Sequence, residues 1–367
     1  MSIDAVNTSR APIRRTWPMR SPFLLLLTLS AQASAQAQWV AQPSGTDADL
    51  RGLSVVSRGV VWASGTHGTV LHTTNGGKTW TLDTIPGASN LDLRGIAATS
   101  STVAHAMSIA DSSRIFRTVN GGRTWSLQYM SLRKGSFFDA IRFFDPKHGI
   151  VMSDPVDGHF LLVTTDDGGD TWQEVPADRL PPCLPGERAY AASGRGIATF
   201  GRHVWFVSGG ATSARVFHST DRGLTWTVSD TPIRAGIRSA GIFSIDFRDA
   251  THGVIAGGDY RQPAMRGRNV ALTSDGGATW TVVDSATSPA GFRSAITFVP
   301  GTNGRRLVAV GLNGTDVSRD GGRTWATVDT AAYNSLGFAS TVMGIAVGPK
   351  GSVARFADKQ ARNRGRI

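Results

Sequence analysis

Apolar residues along this chain come in short runs, alternating or continuous, and glycine, asparagine, aspartate or proline punctuates them. Residues 53–56, 59–63 and 69–73 form the first such group, and comparable groups follow down to residues 352–356. Runs of this length between turn-forming residues predict β-strands, and their recurrence predicts an all-β protein built from repeats.

The repeat is explicit. Thr73-Thr-Asn75-Gly-Gly77-Lys-Thr79-Trp80 returns as Thr118-Val-Asn120-Gly-Gly122-Arg-Thr124-Trp125 and as Thr165-Asp-Asp167-Gly-Gly169-Asp-Thr171-Trp172. It returns again as Ser219-Thr-Asp221-Arg-Gly223-Leu-Thr225-Trp226, Thr273-Ser-Asp275-Gly-Gly277-Ala-Thr279-Trp280 and Ser318-Arg-Asp320-Gly-Gly322-Arg-Thr324-Trp325. This is the Asp-box pattern, [ST]-x-[DN]-x-G-x-T-W. Its Asp or Asn accepts bonds from turn amides, its glycines supply positive φ, and its Trp packs into the seam between sheets. A calcium loop at Asp166-Asp167-Gly-Gly-Asp170 lacks the ligand spacing and terminal Glu, so no metal is expected.

The six tryptophans lie 45, 47, 54, 54 and 45 residues apart, which fits one four-stranded antiparallel blade per repeat. After the last box, three further runs (337–340, 342–347 and 352–356) have no box of their own. Trp39-Val40-Ala41-Gln42 resembles the strand that follows a box. The expectation is a seven-bladed β-propeller whose last blade is closed by the N-terminal strand, with six blades as the fallback.

Met19-Arg20-Ser21-Pro22, an apolar run over 23–29 and the small residues 30–35 read as a secretory signal peptide, too short to span a membrane. Cleavage is expected after Ala35, with Met1 or Met19 as the start. The propeller then occupies 36–358 and a basic tail 359–367, and the mature chain is expected in the periplasm or outside the cell with no transmembrane segment. Removing residues 1–35 takes away four arginines and one aspartate, lowering the formal charge from +11 to +8. That balance favours anionic partners such as acidic proteins or glycans; the charge is spread out, which argues against nucleic acid. The lone Cys183 forms no intrachain disulfide.

Arg51, Arg94, Asp139 and Arg195 fall at one equivalent position, entering the innermost strand of successive blades, and Arg293 lies within one residue of it. An arginine-lined mouth attracts carboxylates or phosphates. The segments after His148 and His252 each place an acidic residue beyond the second strand, which nominates Asp154, Asp157, Asp259, Tyr260 and Arg261 for a polar site. The proline-rich loop 181–188, with Glu187 and Arg188, is expected to overhang it.

The boxes and the runs between them resemble bacterial BNR/Asp-box proteins like the photosystem II stability/assembly factors. Similar boxes occur in sialidases, xyloglucan-cleaving glycosidases and sortilin-type receptor propellers. The assembly-factor resemblance implies a non-catalytic platform that holds a partner protein while a membrane complex is built, using an arginine-rich patch; Arg51, Arg94 and Arg195 are the counterparts here. The alternative is a glycoside hydrolase, sialidase-like or working through paired aspartates among Asp154, Asp157 and Asp259. Only two glutamates exist, Glu174 and Glu187, and the arginine-containing entry motif of sialidases is absent, which weighs against that enzyme. HExxH, G-x-S-x-G and phosphate-loop motifs are also absent, and no cofactor is expected.

Overall fold

Twenty-eight strands pair into seven four-stranded antiparallel sheets in the computed structural model, which describes residues 38–110 and 112–357. In blades 1 to 6 the strand order follows the chain from the centre outward. Blade 1 runs Leu50–Val55, Val61–Gly65, Thr69–Thr73 and Thr81–Thr84. The innermost strands of the later blades are Gly95–Ala98, Phe138–Phe143, Ile197–Phe200, Ala240–Phe247, Ala295–Phe298 and Ser335–Ser340. Each packs on the next, and the seventh returns to the first, so the sheets form a closed ring around a central channel. The segments read as a signal peptide and a basic tail lie outside the described residues, and among the latter no helix is long and apolar enough to cross a membrane.

The seventh blade decides the blade count. Its outermost strand is Gln38–Gln42 from the N-terminal end, paired with Val353–Ala357 in a register that sets Trp39 against Phe356. Trp39 is buried among Tyr333, Phe338 and Phe356, and its Nε1 donates to Thr315 Oγ1 of blade 6 at 3.0 Å. A strand from one end of the chain thus completes the sheet of the other, and blade 7 has the same four strands as its neighbours.

The repeated turn joins the third and outermost strands of blades 1 to 6. In blade 3, Thr171 N and Oγ1 donate to the Asp167 carboxylate at 3.0 and 2.6 Å, and Gly169 N donates to Thr165 Oγ1 at 2.9 Å. Asn75 and Asn120 accept from the same threonine amides at 3.0 Å and donate their own amide to the hydroxyl, so the uncharged residue closes the same turn. Gly168 and Gly169 sit at φ 78° and 83°, where a Cβ would be strained; in the fourth copy Arg222 accepts φ 63° instead. The tryptophans pack between blades: Trp125 meets Trp62 of blade 1 edge-on at 6.3 Å, and Trp172 meets His105 of blade 2 at 6.2 Å. His148 and His252 are held by Asp145 and Asp249, three residues earlier, at 2.9 and 3.0 Å, which fixes the turns they occupy.

Two departures from regular blades shape the channel. The innermost strands of blades 1, 3 and 5 each carry a bulge, and the extra residues are Arg51, Asp139 and Phe243. A bulge re-aims its side chain, here toward the channel mouth. The second departure is the connection between blades 3 and 4, which runs inward and crosses the channel. Ser193 Oγ donates to Ser294 O and Ser335 Oγ donates to Ser193 O, both at 2.8 Å. Ile245 N donates to Arg195 O at 3.0 Å, and Arg51 Nη1 donates to Ala192 O at 3.2 Å. Residues 192–195 therefore touch blades 1, 5, 6 and 7 and plug the channel.

Candidate functional site

Because neighbouring strands are antiparallel, the repeated turns and the loops after the innermost strands share one face of the ring. The segments entering the innermost strands share the other. On that second face the plug forms the floor of a cavity of about 500 Å³. One side of its wall is charged, with Arg51, Arg94, Asp139, Asp154, Arg188 and Arg238. The other side is aromatic. Tyr190 stacks on Phe243 at 3.9 Å, and Phe243 meets Phe292 at 4.7 Å and Tyr260 at 6.1 Å. Tyr190 is held in place by donating its hydroxyl to Ala240 O at 2.9 Å.

The charges on the wall are not equivalent. Arg51 pairs with Asp49 and Arg94 with Asp92, each at 2.7 Å, so both are largely neutralised by a carboxylate two residues earlier in the chain. Among the described residues no carboxylate comes within ion-pair reach of Arg188 or Arg238, nor of Arg234, Arg261, Arg266 or Arg268 in the blade 4 to 5 connection and the blade 5 loop beside it. The uncompensated positive charge therefore lies on the blade 4 to 5 rim, not where Arg51 and Arg94 stand.

Asp139 and Asp154 come from adjacent strands of blade 3. Asp139 is buried, and no hydrogen bond of good geometry reaches its oxygens; the nearby Asp154 N–H is spent on Phe137 O at 2.9 Å. Burial, then the Asp154 charge, holds the Asp139 carboxyl well above the usual carboxylate range, with Arg94 and Arg188 opposing. Burial also raises Asp154, against the Ala189 amide that donates to it at 2.8 Å and against Arg188 and Arg238. Burial pushes the Tyr190 phenol up, with Arg188 opposing. The site thus presents guanidinium donors, one carboxyl favouring its neutral form and an apolar wall: it can take hydrogen-bond acceptors and flat or branched apolar groups.

Several residues singled out in the sequence lie elsewhere. Arg195 does not share the mouth with Arg51 and Arg94; it belongs to the plug, donates Nε to Leu336 O at 2.9 Å and lines the opposite opening of the channel. Arg293 is fully buried, ion-paired to Asp316 and bonded to Asn313 Oδ1 at 2.6 Å, a cross-link within blade 6 with no free face. Glu187 is buried too. It pairs with Arg215 and accepts from Ser208 Oγ at 2.6 Å and Leu184 N at 2.8 Å, so it anchors the proline-rich loop and does not overhang the cavity. Asp157 sits on an exposed turn at φ 52°, paired with Arg133 at 2.9 Å. Asp259 caps its own loop through Arg261 N at 2.9 Å, while Tyr260 reaches the cavity and Arg261 is exposed on its rim.

Arg238, Phe243 and Phe292 were not nominated from the sequence. The aromatics look like ordinary core residues there, and only the bulge at Phe243 and the inward connection carrying Tyr190 turn them to the mouth.

No protein-family model matches the chain, and no curated protein matches it. Solved structures do. YCF48 bound to a D1 peptide superposes with a TM-score of 0.62 at 17% identity, over 88% of this chain and 97% of that one. YCF48 from Cyanidioschyzon merolae gives 0.63 at 18% identity, over 87% and 98%. The GH74 xyloglucanase from Xanthomonas campestris gives 0.61 at 16% identity, over 87% of this chain and 53% of the enzyme. The likeness is one of fold. At such identities it supports the seven-bladed propeller scaffold and assigns no residue a role.

Proposed function

We propose that this protein is an exported, non-catalytic binding scaffold that holds an extended segment of a partner protein in the channel mouth opposite the repeated turns. The observation that carries the reading is the mouth itself. The plug closes the channel into a shallow basin with an aromatic wall, and unpaired arginines crowd the rim formed by blades 4 and 5. Side chains of a peptide fit such a basin, and acidic residues beside them meet the rim. The YCF48 structure solved with a D1 peptide supports a peptide as the occupant of this kind of ring; in this proposal the partner belongs to a membrane complex assembled outside the cytoplasm. The placement of the three aspartates nominated from the sequence gives a glycosidase no comparable support. Asp157 lies on an exposed turn and Asp259 is committed to its loop, so neither joins Asp154 on the cavity wall.

The test is capture from the cell envelope with tagged mature protein, compared with an Arg238→Glu/Arg261→Glu variant. Both side chains are exposed, so the fold should stand. A partner held by the wild type and lost by the variant is expected. Equal retention by the two proteins would overturn the assignment of this rim.

A further inference from the structure

The channel has a second opening, on the face of the repeated turns, and its chemistry differs. A cavity of about 760 Å³ there is lined by Arg142, Arg195, Asp246, Arg248, Asp249 and residues of blades 1, 6 and 7. Arg142 comes from the innermost strand of blade 3, Arg195 from the plug and Asp246 from the innermost strand of blade 5.

The bonding around this opening leaves charge unspent. Arg142 gives Nε to Ile197 O at 3.3 Å, and Arg195 gives Nε and Nη2 to Leu336 O, so the outer nitrogens of Arg142 and Nη1 of Arg195 remain for a ligand. Among the described residues no carboxylate lies within ion-pair distance of either guanidinium. Asp246, the carboxylate that shares the space, is occupied by Thr297 Oγ1 at 2.7 Å, Phe298 N at 2.8 Å and Phe247 N at 3.1 Å. Arg248 and Asp249 pair with each other at 3.4 Å. Two guanidinium groups from different elements are thus held in one channel without a direct counter-charge. Their mutual repulsion shows in Arg142, which burial, then the Arg195 charge, pushes down to about 9 with Asp246 opposing.

We propose that this turn-side opening is an oxyanion site in which Arg142 and Arg195 hold a phosphate group between them. The outer nitrogens of Arg142 and Nη1 of Arg195 together match the tetrahedral, multiply charged oxygens of phosphate, whereas one fork already saturates a carboxylate. The group is either free inorganic phosphate or the phosphate of a small soluble ester, and the open side of the cavity admits both. The site lies on the face away from the proposed partner surface and does not depend on it.

The experiment is titration calorimetry of the mature protein with sodium phosphate, then with glucose 6-phosphate, against chloride at matched ionic strength. Saturable binding of phosphate in excess of chloride is expected. Binding of the ester as well identifies a phosphoryl site open to solvent, and binding of inorganic phosphate alone identifies a site for the free ion. Arg142→Met should weaken phosphate by at least about tenfold, the loss of one charge-assisted pair. Its melting temperature without phosphate should equal or exceed that of the wild type, because the like-charge contact is gone. Arg142→Lys, which keeps the charge, should fall between the two. Arg238→Glu/Arg261→Glu on the other face should bind phosphate as the wild type does. No phosphate heat beyond that of chloride, or an Arg142→Met affinity within about twofold of wild type, would overturn the site.

Discussion

Replacing Glu187 by alanine probes the anchor on which the channel plug depends. Its side chain is fully buried, that of Arg215 is only 10% exposed, and the pair is reinforced by Arg215 Nε at 2.9 Å, Ser208 Oγ at 2.6 Å and Leu184 N at 2.8 Å. Arg215 also donates to Pro182 O at 2.9 Å, so the pair ties the proline-rich loop to blade 4. Removing the carboxylate strands a buried guanidinium, which costs about 3–5 kcal/mol. A domain of this length unfolds with an entropy of roughly 0.7 kcal/mol per kelvin, so the melting temperature should fall by about 4–7 °C in calorimetry. The paired replacement Glu187→Leu/Arg215→Met removes both charges and should recover most of that loss, since a buried ion pair contributes little over an apolar pair of similar volume. A Glu187→Ala protein melting within about 1 °C of wild type, or a double variant no better than the sum of its parts, would refute the anchor.

Three further outcomes follow from the geometry. Trp39→Ala should lower the melting temperature by about 4–7 °C, because a buried tryptophan closing the ring is worth about 3–5 kcal/mol; a smaller change in calorimetry would show that the terminal strand does not bind blade 7 as described. Phe243→Ala should cost a similar amount and also weaken partner capture, since Phe243 supports Tyr190 and Tyr260 in the cavity wall; unaltered capture by a folded variant would remove the aromatic side from the site. The Thr279 hydroxyl and amide, with the Thr273 hydroxyl, hold Asp275 down at about 2, below its unfolded value of about 4. A depressed folded value means a contribution present in full above about pH 4 and lost as pH falls through about 2, so the stability gap between wild type and Asp275→Ala should close over that window. A gap constant from pH 6 to 2 in thermal melts would contradict it.

The ring was legible because its determinants are local. A turn that needs Asp or Asn, two residues of positive φ and a threonine at fixed offsets can only be written one way, and six copies set the blade pitch. Trp39 betrayed the closing strand because it repeats the pattern that follows each turn. The mouth was half legible. Arg51 and Arg94 line the mouth, and Asp49-Leu-Arg51 and Asp92-Leu-Arg94 already carry the sign of their neutralisation, since residues two apart on an extended segment point the same way. Asp139 stood in the same alignment as those arginines without being nominated. Arg195, Arg293 and Glu187 lie away from the mouth because of partners the sequence does not announce: Leu336 of blade 7 for Arg195, Asp316 on the third strand of blade 6 for Arg293, and Arg215 on the third strand of blade 4 for Glu187. The plug was invisible because nothing in residues 175–196 distinguishes a connection that turns inward from one that crosses the surface.

Site-resolved cross-linking tests the central claim most directly. A photo-reactive residue is placed at Tyr260 on the rim of the mouth, or at Lys78 in the first repeated turn on the opposite face, in mature protein incubated with the cell envelope. The scaffold reading predicts that the same protein is cross-linked in high yield from position 260, not from 78, and that Arg238→Glu/Arg261→Glu abolishes it. Equal cross-linking from both faces, or cross-linking from position 78 alone, would contradict a partner held in the channel mouth.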